Sequence, residues 1–331
     1  MAIIAGASTA PALTAAVCDA LSTDLDCITK VEMRLSASNR AAGSASITRA
    51  VLSYAGKLVA LWRGGRWRSG FGWLEMQRIA FDEGGRSYRR LVGLCDVPDH
   101  DLVPARYRGR PATVFRAGTE VGLQNRAIWL TGWLVRLGLL GNGRLMERPA
   151  LLAQRLLRRI GGARSAMRID LAGWRGGVAF KKRWDLLAER GDGPWVPALA
   201  VPALLRRLSE GEIDAGARPA SGLVGLADYD TGFAGLAITH AIEEQPFRPL
   251  YERVMEKDFA VLTPAVYDMH RVVGEAYAEG AATIVRGRNP LLRIAGWIFG
   301  FPPAGTDVPL RIWMDENDGV ETWRRDFGGH E

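Results

Sequence analysis

The chain opens with an apolar run, Ala2 to Ala5, a small-residue turn, Gly6-Ala7-Ser8-Thr9, and an apolar-rich segment from Pro11 to Leu21. This pattern predicts a short buried strand, a turn and a helix, the strand–turn–helix unit of an α/β sheet. Next, "CITKVEMRLS" reads as a strand whose apolar positions are Ile28, Val31, Met33 and Leu35. The loop "ASNRAAGSAS" leads into a helix near Ile47–Tyr54. The segments "LVALWR", "WLEMQRIAF", "SYRRLVGLC" and "ATVFRAGTE" then read as strands of a mostly antiparallel sheet, with turns at Gly64-Gly65 and Gly84-Gly85.

Helical periodicity follows. In "GLQNRAIWLTGWLVRLGLL", Leu123, Ala127, Leu130, Leu134 and Leu137 fall on one stripe. "PALLAQRLLRRIG" starts at Pro149 and ends at Gly161-Gly162, and is expected to turn Leu152, Leu156 and Ile160 inward and Arg155, Arg158 and Arg159 outward. A strand pair, "SAMRIDLAGW" and "GVAFKKRWDLLAE", is joined at Gly176-Gly177, and "GDGPWVPALAVP" leads into the helix "ALLRRLSEGEI". Pro246 and Pro249 mark a joint, beyond which come strands "EAYAEGAATIVRG" and "VPLRIWMDEN" and the apolar helix "PLLRIAGWIFGF". The apolar runs Ala127–Leu140 and Leu291–Phe301 are interrupted by Arg136 and Arg293 and fall short of the about 20 residues a membrane span needs. They read as core helices, with an interfacial anchor as the other reading. The fold class is α/β (α+β): a mixed, largely antiparallel sheet with helices, then a smaller α+β C-terminal domain.

Charge sharpens the division. Of 43 basic residues only five are lysines, and the net charge of +7 splits into +12 over residues 1–239 and −5 over 240–331. Arginine bias of this kind fits a GC-rich genome, and no zinc-finger spacing or RNP motif accompanies it, so no nucleic-acid partner is assigned. Cys18, Cys27 and Cys95 have no paired spacing, and no secretory leader is visible, so the expected compartment is the cytoplasm.

The search for chemistry mostly excludes. No G-x-G-x-x-G after a strand, no Walker loop and no G-x-S-x-G elbow occurs. His100, His240, His270 and His330 form no metal motif, and no metal is expected. His270 is expected to cap a helix or face the core. His100, beside Asp96, Asp99 and Asp101, is expected in a solvated loop, those acids capping backbone N–H groups around Pro98. "LWRGGRWRSGFGW" interleaves Trp62, Trp67 and Trp73 with Arg63, Arg66 and Arg68. It is either a clamp for an anionic or planar ligand or a hairpin with core tryptophans and solvated arginines.

"AGASTAPALTAAVCDAL", the stretch "ASNRAAGSASITRAVLSYAGKLVALWRGGRW", "CDVPDHDLVPARY" and "ATVFRAGTE", in this order, resemble bacterial saccharopine-dehydrogenase-like oxidoreductases over roughly residues 2–240. From "PLYERVM" to "ETWRRDFGG" the chain resembles a bacterial domain of unknown function fused behind such enzymes. The resemblance implies a terminal remnant of a dinucleotide-binding Rossmann domain at 1–25, a substrate or dimerisation domain at 26–240, and an incomplete C-terminal domain at 246–331. It implies NAD(P) as the family's cofactor, with Gly6, Ser8, Thr9 and Pro11 near the nicotinamide, and Asn39, Arg40 and Glu120 facing a substrate cleft. The family's glycine-rich pyrophosphate loop has no counterpart, so this chain alone is expected to bind no cofactor. Expected partners are a small-molecule substrate and a homo-oligomer or a protein supplying the nucleotide-binding half. Loss of that half is expected to leave apolar surface on the first strand and helix. In the residues themselves, Ser8 and Thr9 read equally as helix caps. The alternative function is a non-catalytic binding or scaffold protein, possible at a membrane surface.

Overall fold

The computed structural model describes residues 1–331 apart from 41–44, 84–85, 158–159, 288, 290–295, 297 and 331. The turn expected at Gly84-Gly85, Arg158 and Arg159 with their expected outward orientation, and most of the apolar helix expected over Leu291–Phe301 lie outside the described residues. The chain divides into two compact units, residues 1–62 with 67–245, and residues 63–66 with 246–331.

In chain order the first part contains β1 (Ala2–Ala5), α1 (Thr14–Ser22), β2 (Cys27–Ala37), α2 (Ala45–Tyr54), β3 (Leu58–Arg63), β4 (Arg66–Phe71), β5 (Met76–Glu83) and β6 (Arg86–Leu94). It continues with α3 (Asp99–Arg106), β7 (Ala112–Thr119), α4 (Gly122–Arg136), α5 (Glu147–Leu157), β8 (Ser165–Arg175) and β9 (Val178–Ala188). Then come α6 (Ala200–Ser209), β10 (Gly216–Pro219), α7 (Leu226–Ala234) and β11 (Ile238–Phe247). Seven strands form one mixed sheet in the order β11-β9-β8-β2-β7-β6-β5. Only β2 and β7 are a parallel pair among the registers β5–β6, β6–β7, β2–β7, β2–β8 and β8–β9. The architecture is α/β, as the hydrophobic pattern predicts. The first strand stands outside this sheet: β1 pairs in parallel with β10, from Ala2 opposite Gly216 to Ala5 opposite Pro219.

The alternation Lys30-Val31-Glu32-Met33-Arg34-Leu35 gives β2 one apolar and one charged face. Ile28 lies three positions before Val31, which plain alternation would put on opposite faces. A register shift between Ile28 and Lys30 against β8 leaves Thr29 as an extra residue and returns Ile28 to the core side. On that side Val31, Met33, Phe115, Ile169 and Trp184 are fully buried, or nearly so, under α1, α3, α6 and α7. Opposite, Glu32 pairs with Arg34 and, at 3.6 Å, with Arg116, and Asp170 pairs with Arg34 and, at 2.8 Å, with Arg183. Arg168 holds Asp185 at 2.7 Å. Arg34 also donates to Gln77 (3.3 Å) and Arg168 to the Ala80 carbonyl (2.8 Å). The sheet therefore curls until β5 lies over the charged faces of β2 and β8.

Two expectations about helix faces fail. Of the stripe Leu123, Ala127, Leu130, Leu134 and Leu137 on α4 and its C-cap, all but the half-buried Leu134 are exposed, and the buried positions are Asn125, Thr131 and Gly132. Close approach explains the inversion: a Cβ on Gly56 would meet the Gly132 carbonyl oxygen at 2.1 Å, so the helix needs its small face against the chain. Asn125 adds hydrogen bonds to the Leu91 carbonyl (2.8 Å) and the Thr119 N–H (2.9 Å), which leucine cannot make. In α5 no residue is buried, and Leu152, Leu156 and the following Ile160 are exposed. Conversely α1, expected to present apolar surface, is buried along Ala15, Ala16, Val17, Cys18 and Leu21, whereas Ile3 of β1 is exposed.

The second unit holds α8 (Leu250–Met255), α9 (Pro264–Met269) and an antiparallel sheet β12-β13-β14 (Glu275–Ile284, Gly305–Asn317, Val320–Phe327). Its buried Glu275 accepts from Arg63 Nε at 3.0 Å and from the Gly64 N–H, and burial pushes its pKa up. His270 follows α9, its Nδ1 2.8 Å from the Val266 carbonyl, between the rings of Tyr251 and Trp323.

Ile169→Ala should lower the unfolding free energy of the first unit by about 2–5 kcal/mol. Leu152→Ala, on an exposed face, should stay within about 0.5 kcal/mol. Urea unfolding followed by circular dichroism checks both, and comparable losses would contradict the assignment of faces.

Candidate functional site

The carboxyl ends of the parallel strands β2 and β7 run into Ser38-Asn39 and Glu120, and the open end of the β8–β9 hairpin brings Arg164 and Glu189 beside them. Between these segments is a cleft of about 480 Å³, lined by Tyr88, Arg90, Glu120, Gly162, Ala163, Arg164, Glu189 and Arg190. Glu120 organises it. One carboxylate oxygen accepts from the Gly162 N–H (2.6 Å) and the Asn39 N–H (3.3 Å), and the other accepts from Arg90 at 3.2 Å. Gly161 and Gly162 permit this approach: a Cβ on Gly162 would lie 2.9 Å from Glu120, and Gly161, at φ +115°, has a backbone that other residues rarely adopt. Arg164 bonds Glu189 at 2.8 Å and donates to the Tyr88 hydroxyl. Arg190 stands at φ +53°, strained for a residue with a side chain. Three guanidinium groups against two carboxylates leave the cleft with an excess positive charge, suited to an anionic small molecule.

Of the residues predicted for a substrate cleft, Asn39 and Glu120 come together. Glu120 lines the cleft, whereas the Asn39 side chain is spent on structure: it donates to the carbonyls of Leu157 and Ile160 (2.6 Å for the latter) and accepts from Gln124 at 2.9 Å. Arg40 has an exposed side chain and touches this region through its backbone N–H, 3.4 Å from the Gly162 carbonyl. Tyr88, Arg90, Arg164, Glu189 and Arg190 escaped the sequence reading. Counting outward from Gly176-Gly177, both at positive φ, pairs Arg175 with Val178 and Ser165 with Ala188. The next step outward reaches Arg164 and Glu189, so that ion pair was within reach of the sequence.

Gly6, Ser8, Thr9 and Pro11 share the turn leaving the carboxyl end of β1. Gly6 has φ +74°, and a Cβ there would lie 2.4 Å from Pro11 Cδ, so the two residues close the turn against each other. The Ala10–Pro11 peptide is cis. Ser8 is half-buried, and its side chain makes no capping hydrogen bond to the segment it precedes, which removes the cap reading for Ser8.

A second titratable group lies beneath α3. Asp99 and His100 are buried at the start of this helix, contrary to the expected solvated loop. Thr14 donates to one oxygen of Asp99, and among the described residues the other oxygen has no partner. Burial raises Asp99 to about 6, against the smaller opposing pull of the Thr14 hydroxyl. His100 Nε2 accepts the Phe115 N–H at 3.1 Å, so its proton is on Nδ1, and burial with Arg116 nearby lowers it to about 4. Cys18, fully buried beside Asp99, has its thiol pushed far up.

The tryptophan–arginine segment is split. Trp62 and Trp73 are buried, and Arg110 stacks on Trp62 at 3.9 Å, while Trp67 is exposed. Arg63 is held by Glu275 and Asp315. Among the described residues no group of three or more His, Cys, Asp or Glu could hold a metal ion.

Residues 262–331 match the family model described as "Domain of unknown function (DUF4166)". No curated protein matches the chain. Among solved structures it is similar to apo histidine-tagged saccharopine dehydrogenase (L-Glu forming) from Saccharomyces cerevisiae, with 9% identity over 70% of this chain and 71% of that one, and a TM-score of 0.41.

Asp99 and His100 act oppositely on stability. Asp99 is raised from 3.8 to about 6, so the folded state holds its proton longer and stability falls as pH rises through this window. His100 is lowered from 6.5 to about 4, so the unfolded state binds the proton more readily and stability rises over nearly the same window. Each slope integrates to about 3 kcal/mol, and together they nearly cancel between about pH 4 and 6.5. Asp99→Asn should therefore become more stable as pH rises across this window, and His100→Gln less stable. Equilibrium unfolding of both variants at stepped pH checks the signs.

Proposed function

We propose that the chain is the substrate-side portion of a saccharopine-dehydrogenase-like, NAD(P)-dependent oxidoreductase. The ordered motif string supports this family, and one structural observation carries the placement of the site. The turn Gly6–Pro11 leaves the carboxyl end of a parallel strand pair, β1 and β10, where open α/β sheets bind ligands. Its Ser8 side chain is not spent on a helix cap.

On this reading Gly6, Ser8, Thr9 and Pro11 form the nicotinamide side of a cofactor site. Gly6 and Pro11 fix the turn, and the hydroxyls of Ser8 and Thr9 supply hydrogen bonds to a carboxamide. The pyrophosphate side does not fit any segment, because no glycine-rich fingerprint follows a strand in these 331 residues. The chain by itself is therefore proposed not to retain NAD(P)H. Bound cofactor would supply hydride transfer. This chain's cleft would hold a small anionic substrate, Arg90, Arg164 and Arg190 attracting it while Glu120, with Asn39 behind it, keeps the cleft's shape.

Two titrations on the purified chain test this. NADPH fluorescence should show no saturable enhancement at low micromolar protein. Saturation-transfer NMR with reduced nicotinamide mononucleotide should show weak binding that Ser8→Ala/Thr9→Ala abolishes. Tight NADPH binding would overturn the proposed incompetence, and no mononucleotide signal would overturn the placement of the site.

A further inference from the structure

The first unit keeps an apolar surface that its core does not use. On α4, Leu130 is 54% and Leu137 63% exposed, with Leu123 and Ala127 continuing the stripe. On α5, Leu152 is 59% and Leu156 68% exposed, with Leu145 before it and Ile160 after it. Asn39 ties Gln124 of α4 to the carbonyls of Leu157 and Ile160, so the chain leaving α5 returns to where α4 begins. Exposed arginines accompany both stripes: Arg126 and Arg136 on α4, Arg144 in the connection, Arg148 and Arg155 on α5. Between residues 121 and 157 the sequence has one acid, Glu147, and Arg49 engages it at 2.7 and 2.9 Å.

We propose that α4 and α5 seat the protein on the surface of a bilayer containing anionic phospholipid, their leucines entering the headgroup boundary and their arginines meeting lipid phosphates. Exposed leucine stripes flanked by arginine are the chemistry of interfacial helices, whose binding combines apolar burial with attraction to anionic lipid. Charge complementarity selects lipid over a second copy of the chain, because a two-fold contact would bring these arginine-rich helices together while their one acid, Glu147, is already held by Arg49. Trp129, itself partly exposed and edge-on to Trp133 at 6.1 Å, adds an aromatic of the kind enriched at bilayer interfaces. Seating differs from spanning: among the described residues no helix is long and apolar enough to cross a membrane. This inference uses neither the cleft nor the Gly6–Pro11 turn, so it stands or falls apart from the cofactor reading.

Cosedimentation of the chain with phosphatidylserine–phosphatidylcholine vesicles, against phosphatidylcholine alone, tests it. The chain should bind the mixed vesicles and lose binding as salt rises. Leu130→Gln/Leu137→Gln/Leu152→Gln/Leu156→Gln should bind about tenfold or more weakly, with an unchanged circular dichroism spectrum. Arg126→Gln/Arg136→Gln/Arg148→Gln/Arg155→Gln should also weaken binding, and lysine at the same four positions should restore it. Should the fourfold leucine variant misfold, Leu152→Gln and Leu156→Gln singly give the same comparison. Equal sedimentation with both vesicle types, none with either, or undiminished binding by folded leucine variants would overturn the proposal. A wild-type dimer in light scattering that the leucine variant dissolves would overturn it too, assigning the face to a second copy.

Discussion

Strand β2 holds two environments one residue apart, and the rest of the first unit is arranged around keeping them separate. Val31 and Met33 are fully buried among apolar side chains, while the alternating Glu32 and Arg34 belong to an ion network. Across the strands the register sets Arg34 beside both Arg116 and Arg168. Adjacent like charges in a partly buried row would be costly, and acids answer them, Glu32 and Asp170 from two positions along the strands on Arg34 and Asp185 from directly across on Arg168. A slip of one residue between β2 and β8 would break these pairs and drive charges into the core at once. The bulge at Thr29 belongs to the same constraint, since it lets Ile28 return to the apolar side without moving the ion rows.

Fixing β2 also fixes what its carboxyl end carries. Asn39 follows the strand two residues after its end, and its amide gathers the start of α4 and the end of α5, while its backbone N–H reaches Glu120 at the end of β7. The cleft is therefore built at the ends of one parallel pair, and its charge comes from strands and turns rather than from any helix. Arg90, Glu120, Arg164 and Glu189 answer one another in pairs, which among the described residues leaves Arg190, on its strained turn, as the cleft-lining cation whose charge is in excess. The Gly6–Pro11 turn lies at the carboxyl end of a second parallel pair, β1 and β10, in a separate two-stranded sheet. Among the described registers each parallel pair thus has a turn or cleft at its carboxyl end, where open α/β sheets bind ligands.

Much of this was legible in the sequence where local chemistry decides. Alternation gave β2, β8 and β9, and Gly176-Gly177 gave the β8–β9 hairpin because two consecutive positive φ values are cheap for a glycine pair. Glu120 was named through a resemblance, and Arg164 and Glu189 could have been counted outward from the same glycines. What the sequence hid depends on distant partners. Asp99 and His100 look like loop residues beside Pro98, and only Thr14, eighty-five positions away, and the Phe115 N–H make their burial tolerable. Asn39 looked like a ligand contact because an asparagine does not announce that helix-end carbonyls will occupy its amide.

The helices α4 and α5 show a limit of a different kind. Periodicity establishes that a helix has an apolar face, but it carries no information about what that face meets. In α4 two demands outrank the burial of leucine: the glycine-to-glycine approach at Gly56 and Gly132, and the hydrogen bonds that Asn125 makes to the ends of neighbouring strands. Both can be met only by the narrow, polar side of the helix, so satisfying them turns Leu130 and Leu137 outward. Burying a leucine is favourable against any apolar neighbour, whereas an unbonded asparagine or a blocked backbone contact has no such freedom of partner. The less selective face is thus the one left for another surface to cover, and the arginines beside it determine which surfaces can do so.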